Sequence, residues 1–145
     1  MTFDELLAFA GRHALPAAGL VGVTVALIYT EIARLLRPYK PLRPAELTVL
    51  ANREDALVVD ISATADFEKG HIAGSRNVQA GAFTPEHKVV ANQRERPVVV
   101  VCRTGMGSAQ AAARLSKAGF TTVYWLEGSV AAWQQADLPL VKGRA

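Results

Sequence analysis

The sequence predicts an α/β fold, an open parallel sheet with helices on both faces, preceded by one N-terminal transmembrane helix. Three observations carry this reading. Short β-branched runs, ALVVDI at 56–61 and PVVVVC at 97–102, are apolar throughout, as strands covered on both faces must be. Stretches of helical pattern alternate with them, which is the signature of parallel strands joined by crossover helices. Ahead of both, His13 to Thr30 holds no Lys, Arg, Asp or Glu, and Leu15 to Ile28 is apolar on every side apart from Thr24.

The 145 residues suffice for one domain and a short appendage. The appendage is the N-terminal third. Residues 1–13 read as a short extracytoplasmic N-terminus and 14–36 as a transmembrane helix with its extension. At about 1.5 Å per residue the uncharged stretch reaches roughly 27 Å, close to the hydrocarbon thickness of a bilayer. A cleaved signal peptide would want a basic start and a small-residue cleavage site, but Asp4 and Glu5 open the chain and Glu-Ile-Ala-Arg-Leu-Leu follows the span. Arg34, Arg37, Lys40 and Arg43 flank its C-terminal side, which places the following domain in the cytoplasm. The expected topology is therefore single-pass, with the C-terminal domain in the cytoplasm. Ala18 and Gly22 form a small-xxx-small pair that could let two such helices meet as a weak homodimer, or seat another membrane protein.

Pro38, Pro41 and Pro44 recur at three-residue intervals in RPYKPLRP, so 37–43 reads as a Pro-rich, basic, extended linker. The domain proper is expected over 44–141, with 142–145 as a tail. Within it Glu46–Asn52 reads as a short helix and Ala56–Ile61 as a buried strand. Thr64–Lys69 is a helix closed by Gly70, and Pro97–Cys102 a second buried strand. Ser108–Ala118 is an amphipathic helix stopped by Gly119, Thr121–Leu126 a third strand, and Val130–Gln135 a last helix. Trp125 and Trp133 read as core aromatics.

Composition narrows the function classes. Charged residues make up 20% and hydrophobic ones 50% of the chain, which excludes a disordered tail. The net charge of +3 comes from the segment around the linker, so no nucleic-acid surface is expected of the domain. One cysteine cannot form an internal disulfide and is a candidate reactive thiol in a reducing compartment. His13, His71 and His87 show no ligand spacing, so neither a metal nor a cofactor is expected.

An open parallel sheet sets its ligand site beyond the carboxyl ends of its strands. Asp60 and Cys102 stand at such ends. After Cys102 come Arg103, Thr104, Gly105, Met106 and Gly107, leading to a helix that begins with Ser108. A sulfur aimed at a helix N-terminus meets free backbone N–H groups, which stabilise a thiolate over a thiol. Gly105 and Gly107 permit a loop that wraps its amides round one anion, and Arg103 adds a positive charge. Asp60 reads equally as a brace of the turn after it, and His71 as a local turn residue; both are supporting candidates.

At these residues the chain resembles the rhodanese family, whose active-site loop is a Cys followed by a short Gly-containing turn around a cysteine persulfide. Asp60-Ile-Ser62 with Asp66-Phe67-Glu68-Lys69-Gly70-His71-Ile72-Ala73-Gly74-Ser75-Arg76-Asn77-Val78 is similar to the family's Asp-x-Arg and Glu-Phe-x-x-Gly-His-Ile-x-Gly-Ala-x-Asn-Ile segments. Gly119-Phe120, Leu126-Glu127-Gly128-Ser129 and Ala132-Trp133 resemble its Gly-Phe, Leu-x-Gly-Gly and Trp ending. The likeness runs from about Leu42 to Leu140, and the span before it is that of membrane-anchored, single-domain members.

The resemblance implies a rhodanese-like fold and a sulfurtransferase. Cys102 would take a sulfane sulfur from thiosulfate or a persulfide donor and pass it to a thiol or protein acceptor. The amides of Arg103 to Ser108 would hold the outer sulfur, with Arg103 attracting an anionic donor. Two departures stand out. Gly107 occupies a position where active members often carry a second Arg, and Ser62 replaces the family's Arg, removing an ion pair to the acid matched by Asp66. The alternative reading is a catalytically weak domain acting as a membrane-bound protein-interaction module. A phosphatase on the same fold would need Arg six residues after the Cys, where Ser108 stands.

Overall fold

The computed structural model describes residues 1–103 and 105–144, which form two compact units divided between Arg37 and Pro38. The first unit is helical. Helix α1 (Phe3–Arg12) is built from good helix formers, and Thr2 caps it: the Glu5 amide donates to Thr2 Oγ1 at 3.4 Å and the Thr2 amide to Glu5 Oε2 at 2.8 Å. The segment expected as a short N-terminus thus carries a helix of its own. Helix α2 (Ala14–Leu35, 22 residues) has a mean hydropathy of 1.7 over its most apolar stretch and no buried residue. It is long and apolar enough to cross a membrane.

In the second unit the order is β1 (Tyr39–Leu42), α3 (Pro44–Arg53), β2 (Leu57–Asp60), α4 (Thr64–Lys69), β3 (Arg76–Asn77), β4 (Val98–Val101), α5 (Met106–Lys117), β5 (Val123–Leu126) and α6 (Ser129–Gln135). All five strands are parallel, in the order β1-β5-β4-β2-β3. The elements expected between 46 and 135 are present, with ends moved by one or two residues. Helix α5 begins at Met106 rather than Ser108, which puts Gly107 and Ser108 inside its first turn.

The expected linker is corrected. Residues 39–42 pair in register with Val123–Leu126 as the edge strand β1. Pro41 is compatible with this because residues of a strand face its partner alternately. Leu42 faces β5, where its carbonyl accepts from the Glu127 amide at 2.9 Å, so the missing N–H of Pro41 faces the open edge.

Strand parity divides the core. Val59, Ile61, Val98, Val100 and Cys102 lie on one face with Ala111, Ala112 and Leu115 of α5 and with Phe83 and Val90 from the long connection before β4. Val58, Val99, Val101 and Leu126 lie on the other with Leu47 and Leu50 of α3 and Val130 and Trp133 of α6. All four valines of β4 have no exposed surface. At about 1.5–3 kcal/mol for each fully buried valine, this central strand is a main source of stability. Helix α3 starts with Pro44 at its first position. Glu46 Oε2 accepts the Arg43 amide at 2.7 Å, and this bond, reinforced by the Arg43 charge, holds the Glu46 carboxyl below the usual glutamate range.

Candidate active site

The connection after β2 leads outward to β3, whereas the connection after β4 leads the opposite way to β5. The loops at the carboxyl ends of these two central neighbours therefore diverge, at the position where open parallel sheets carry their ligand sites. Asp60 closes β2 and Cys102 follows β4, so both sit at this point of reversal.

They do not face each other. Cys102 shares its sheet face with α5, and its sulfur accepts the Gly105 amide at 2.8 Å. The thiol is 5% exposed. Gly105 holds this position with φ of +80°, a conformation in which a side chain would be strained, and it ends the loop one residue before the helix. The free amides of the first turn of α5 thus begin beside the sulfur. Ser108 is fully buried and donates to the Gly105 carbonyl at 3.1 Å, closing that first turn. Met106 contributes the first helical residue, and Thr104 lies outside the described residues.

Gly107 differs from expectation. Its φ is not positive, and a Cβ built there would meet Ile61 Cδ1 at 3.5 Å, an ordinary contact. The loop needs one permissive backbone position, Gly105, rather than two. Arg103 also differs. Its guanidinium, expected to attract an anionic donor, donates to the carbonyl of Asp66 and to that of Gly70 at 3.1 Å. The last carbonyls of a helix carry partial negative charge, so Arg103 ties the Cys loop to the end of α4.

Asp60 and His71 brace the surroundings. Asp60 Oδ1 accepts the Ser62 amide at 2.8 Å, which is a side-chain-stabilised turn, and the Asn77 amide group spans the Asp60 and Ser62 carbonyls at 3.0 Å each. Asp60 Oδ2 and Ser62 Oγ are buried without a hydrogen-bond partner among the described residues. Asp66 pairs with Lys69 at 3.6 Å. His71 stacks on Phe67 with ring centres 3.7 Å apart, its Nδ1 lies 2.8 Å from the Phe67 carbonyl, and its backbone pairs with Val141. A Cβ at Gly70 would stand 3.3 Å from Leu140 Cδ1, a tight contact that the leucine relieves by shifting a few tenths of an ångström.

One residue that holds the Cys loop stands outside the candidates read from the sequence. Ser129 is 1% exposed and donates its hydroxyl to the Arg103 carbonyl at 2.9 Å, while the Val130 amide donates to the Cys102 carbonyl at 3.3 Å. The signal was present in the Gly-Ser pair that opens α6, but nothing local says which loop that pair meets. Among the described residues no three His, Cys, Asp or Glu side chains come together as a metal would require.

Comparison with known proteins agrees with this geometry. A family model described as a rhodanese-like domain matches residues 43–136. The chain is 37% identical over 142 residues to the Uncharacterized protein YibN of Escherichia coli, covering 97% of this chain and 99% of that protein. It is 31% identical over 98 residues to the Thiosulfate sulfurtransferase GlpE of Pseudoalteromonas translucida, covering 68% and 91%. A crystal structure of a rhodanese-related protein from Thermoplasma volcanium superposes with a TM-score of 0.62 at 25% identity, covering 71% of this chain and 98% of the other.

Proposed function

The chain belongs to the rhodanese-like domain family, and from that premise we propose that it is a membrane-anchored sulfurtransferase working through a persulfide on Cys102. The family membership carries sulfurtransferase-type function; the donor, the acceptor and the membrane are this proposal's own. The Cys102 thiolate attacks the outer sulfur of a sulfane donor, and the remainder of the donor leaves with the electron pair of the broken bond: sulfite from thiosulfate, or a thiolate from a persulfide. An acceptor thiolate then attacks the terminal sulfur and displaces the Cys102 thiolate, so no oxidant or reductant is needed. The supporting observation is the Cys102 sulfur held by the Gly105 amide at the start of α5, where developing negative charge meets preorganised donors.

The loop chemistry favours one donor class. Arg103 is engaged by two carbonyls and Gly107 has no side chain, so among the described loop residues no cation is placed to hold a sulfonate. A protein or low-molecular-weight persulfide is therefore the preferred donor over thiosulfate. Gly107→Arg is expected to raise thiosulfate turnover about tenfold or more, the value of one hydrogen bond to a charged group. The Cβ has room to enter, and unchanged turnover would show that a missing clamp is not what limits this donor.

Mass spectrometry of the full-length protein in detergent tests the proposal. After a persulfide donor, the protein should gain the mass of one sulfur atom on the peptide carrying Cys102. The low exposure of the thiol and the absence of a second loop cation favour the other reading, a protein-interaction module at the membrane. Failure of every donor to add sulfur would overturn the transferase reading and favour that one. For the anchor, alkaline carbonate washing of membranes should leave the chain in the pellet through α2. Release into the supernatant would remove the membrane from the proposal.

A further inference from the structure

We propose that Ser129 is a positioning residue for the Cys102 loop, its hydroxyl keeping the Arg103 carbonyl turned away from the sulfur so that the loop presents amides there. The inference rests on the sulfur-transfer reading of Cys102. A loop that holds a sulfur anion must point N–H groups inward and carbonyl oxygens outward, because a carbonyl beside the sulfur would repel the charge that forms. The two carbonyls that follow the strand are both fixed by the turn into α6. The Val130 amide takes the Cys102 oxygen and the Ser129 hydroxyl takes the Arg103 oxygen.

The backbone of Ser129 points the same way. Its φ is +54°, in the left-handed region that disfavours side chains, and it follows Gly128 at +72°. A residue kept there against local preference is held by its surroundings, and the atom that gains from it is the hydroxyl. Ser129 Oγ also lies 3.6 Å from where a Cβ of Gly105 would stand, directly behind the residue whose amide reaches Cys102. Ser129 therefore meets the loop at the Arg103 carbonyl and beside its left-handed glycine.

Two substitutions separate positioning from mere structure. Ser129→Gly removes the hydroxyl and relieves the backbone; Ser129→Ala removes the hydroxyl and retains the strain. A purely structural role makes function follow stability, with Ser129→Gly at or above the parent protein. Positioning makes both variants form the Cys102 persulfide about tenfold more slowly, while Ser129→Gly unfolds at the same temperature or higher. Amide hydrogen exchange of the peptide from Cys102 to Ser108, measured on the full chain in detergent, should quicken in both variants. Parent-like exchange in Ser129→Gly overturns the proposal. If the parent takes no sulfur from any donor while the loop of Ser129→Gly still exchanges faster, the positioning stands and the sulfur-transfer reading falls.

Discussion

Cys102→Ala will carry no added sulfur after treatment with any sulfane donor, and its transfer activity will fall to the level of the donor and acceptor alone. The expected loss is complete because the sequence holds one cysteine, so no second thiol can take the sulfur in its place. The substitution is also mild structurally. Cys102 packs among Ile61, Val100 and Ala111 as a small buried side chain, and Ala fills most of the same volume. The Gly105 amide loses its acceptor, but it stands at a helix start where water can replace the sulfur. The variant should therefore fold, and intact-mass measurement before and after the donor reads the result. Sulfur retained on the Ala variant would mean that the adduct was never on this thiol.

Gly128→Ala should destabilise the domain by about 2–5 kcal/mol. A left-handed backbone costs a residue with a Cβ roughly 1–2 kcal/mol, and forcing an extra carbon into a packed site adds about 1–3 kcal/mol. Both conditions hold at Gly128, whose φ is +72° and whose added Cβ would stand 2.7 Å from the Cβ of Ala132. That distance is too short for two carbons, and the obstacle is the rigid first turn of α6, so the helix must move. Moving α6 also shifts Ser129 and Val130, which hold the Cys loop, and Trp133, whose indole donates to the Pro139 carbonyl at 2.9 Å. For a domain of this size the loss corresponds to a drop of about 10 °C or more in the unfolding midpoint. Thermal unfolding followed by near-ultraviolet circular dichroism measures it, and a midpoint equal to that of the parent would contradict this account of the β5–α6 turn.

The central strands and the helices between them were legible because burial on both faces leaves one kind of sequence, an unbroken valine run, and little else produces it. Strands β1 and β3 were not. Tyr39–Leu42 contains Lys40 and Pro41 between Pro38 and Pro44, and becomes a strand only because β5 offers it a partner. Arg76–Asn77 is two residues long and has no pattern to read. Helix α1, by contrast, carries signals in its sequence, a Thr2–Glu5 capping box and Phe3, Leu6, Leu7 and Ala10 at helical spacing, although none of its residues is buried.

The same division runs through the site. One thiol at the end of a buried strand, with a glycine and a helix start just after it, is a local arrangement, and local sequence determined it: Cys102, the left-handed Gly105 and the amides that open α5 stand in order along the chain. Where the long side chains point was decided by tertiary structure alone. Arg103 turns to the carbonyls at the end of α4, and Ser129 reaches the loop across 26 residues, whereas Asp60 braces its own turn locally. Backbone pattern follows from neighbours in sequence, but the partner of a charged or polar group is whichever unsatisfied atom the packing of separate elements brings within reach.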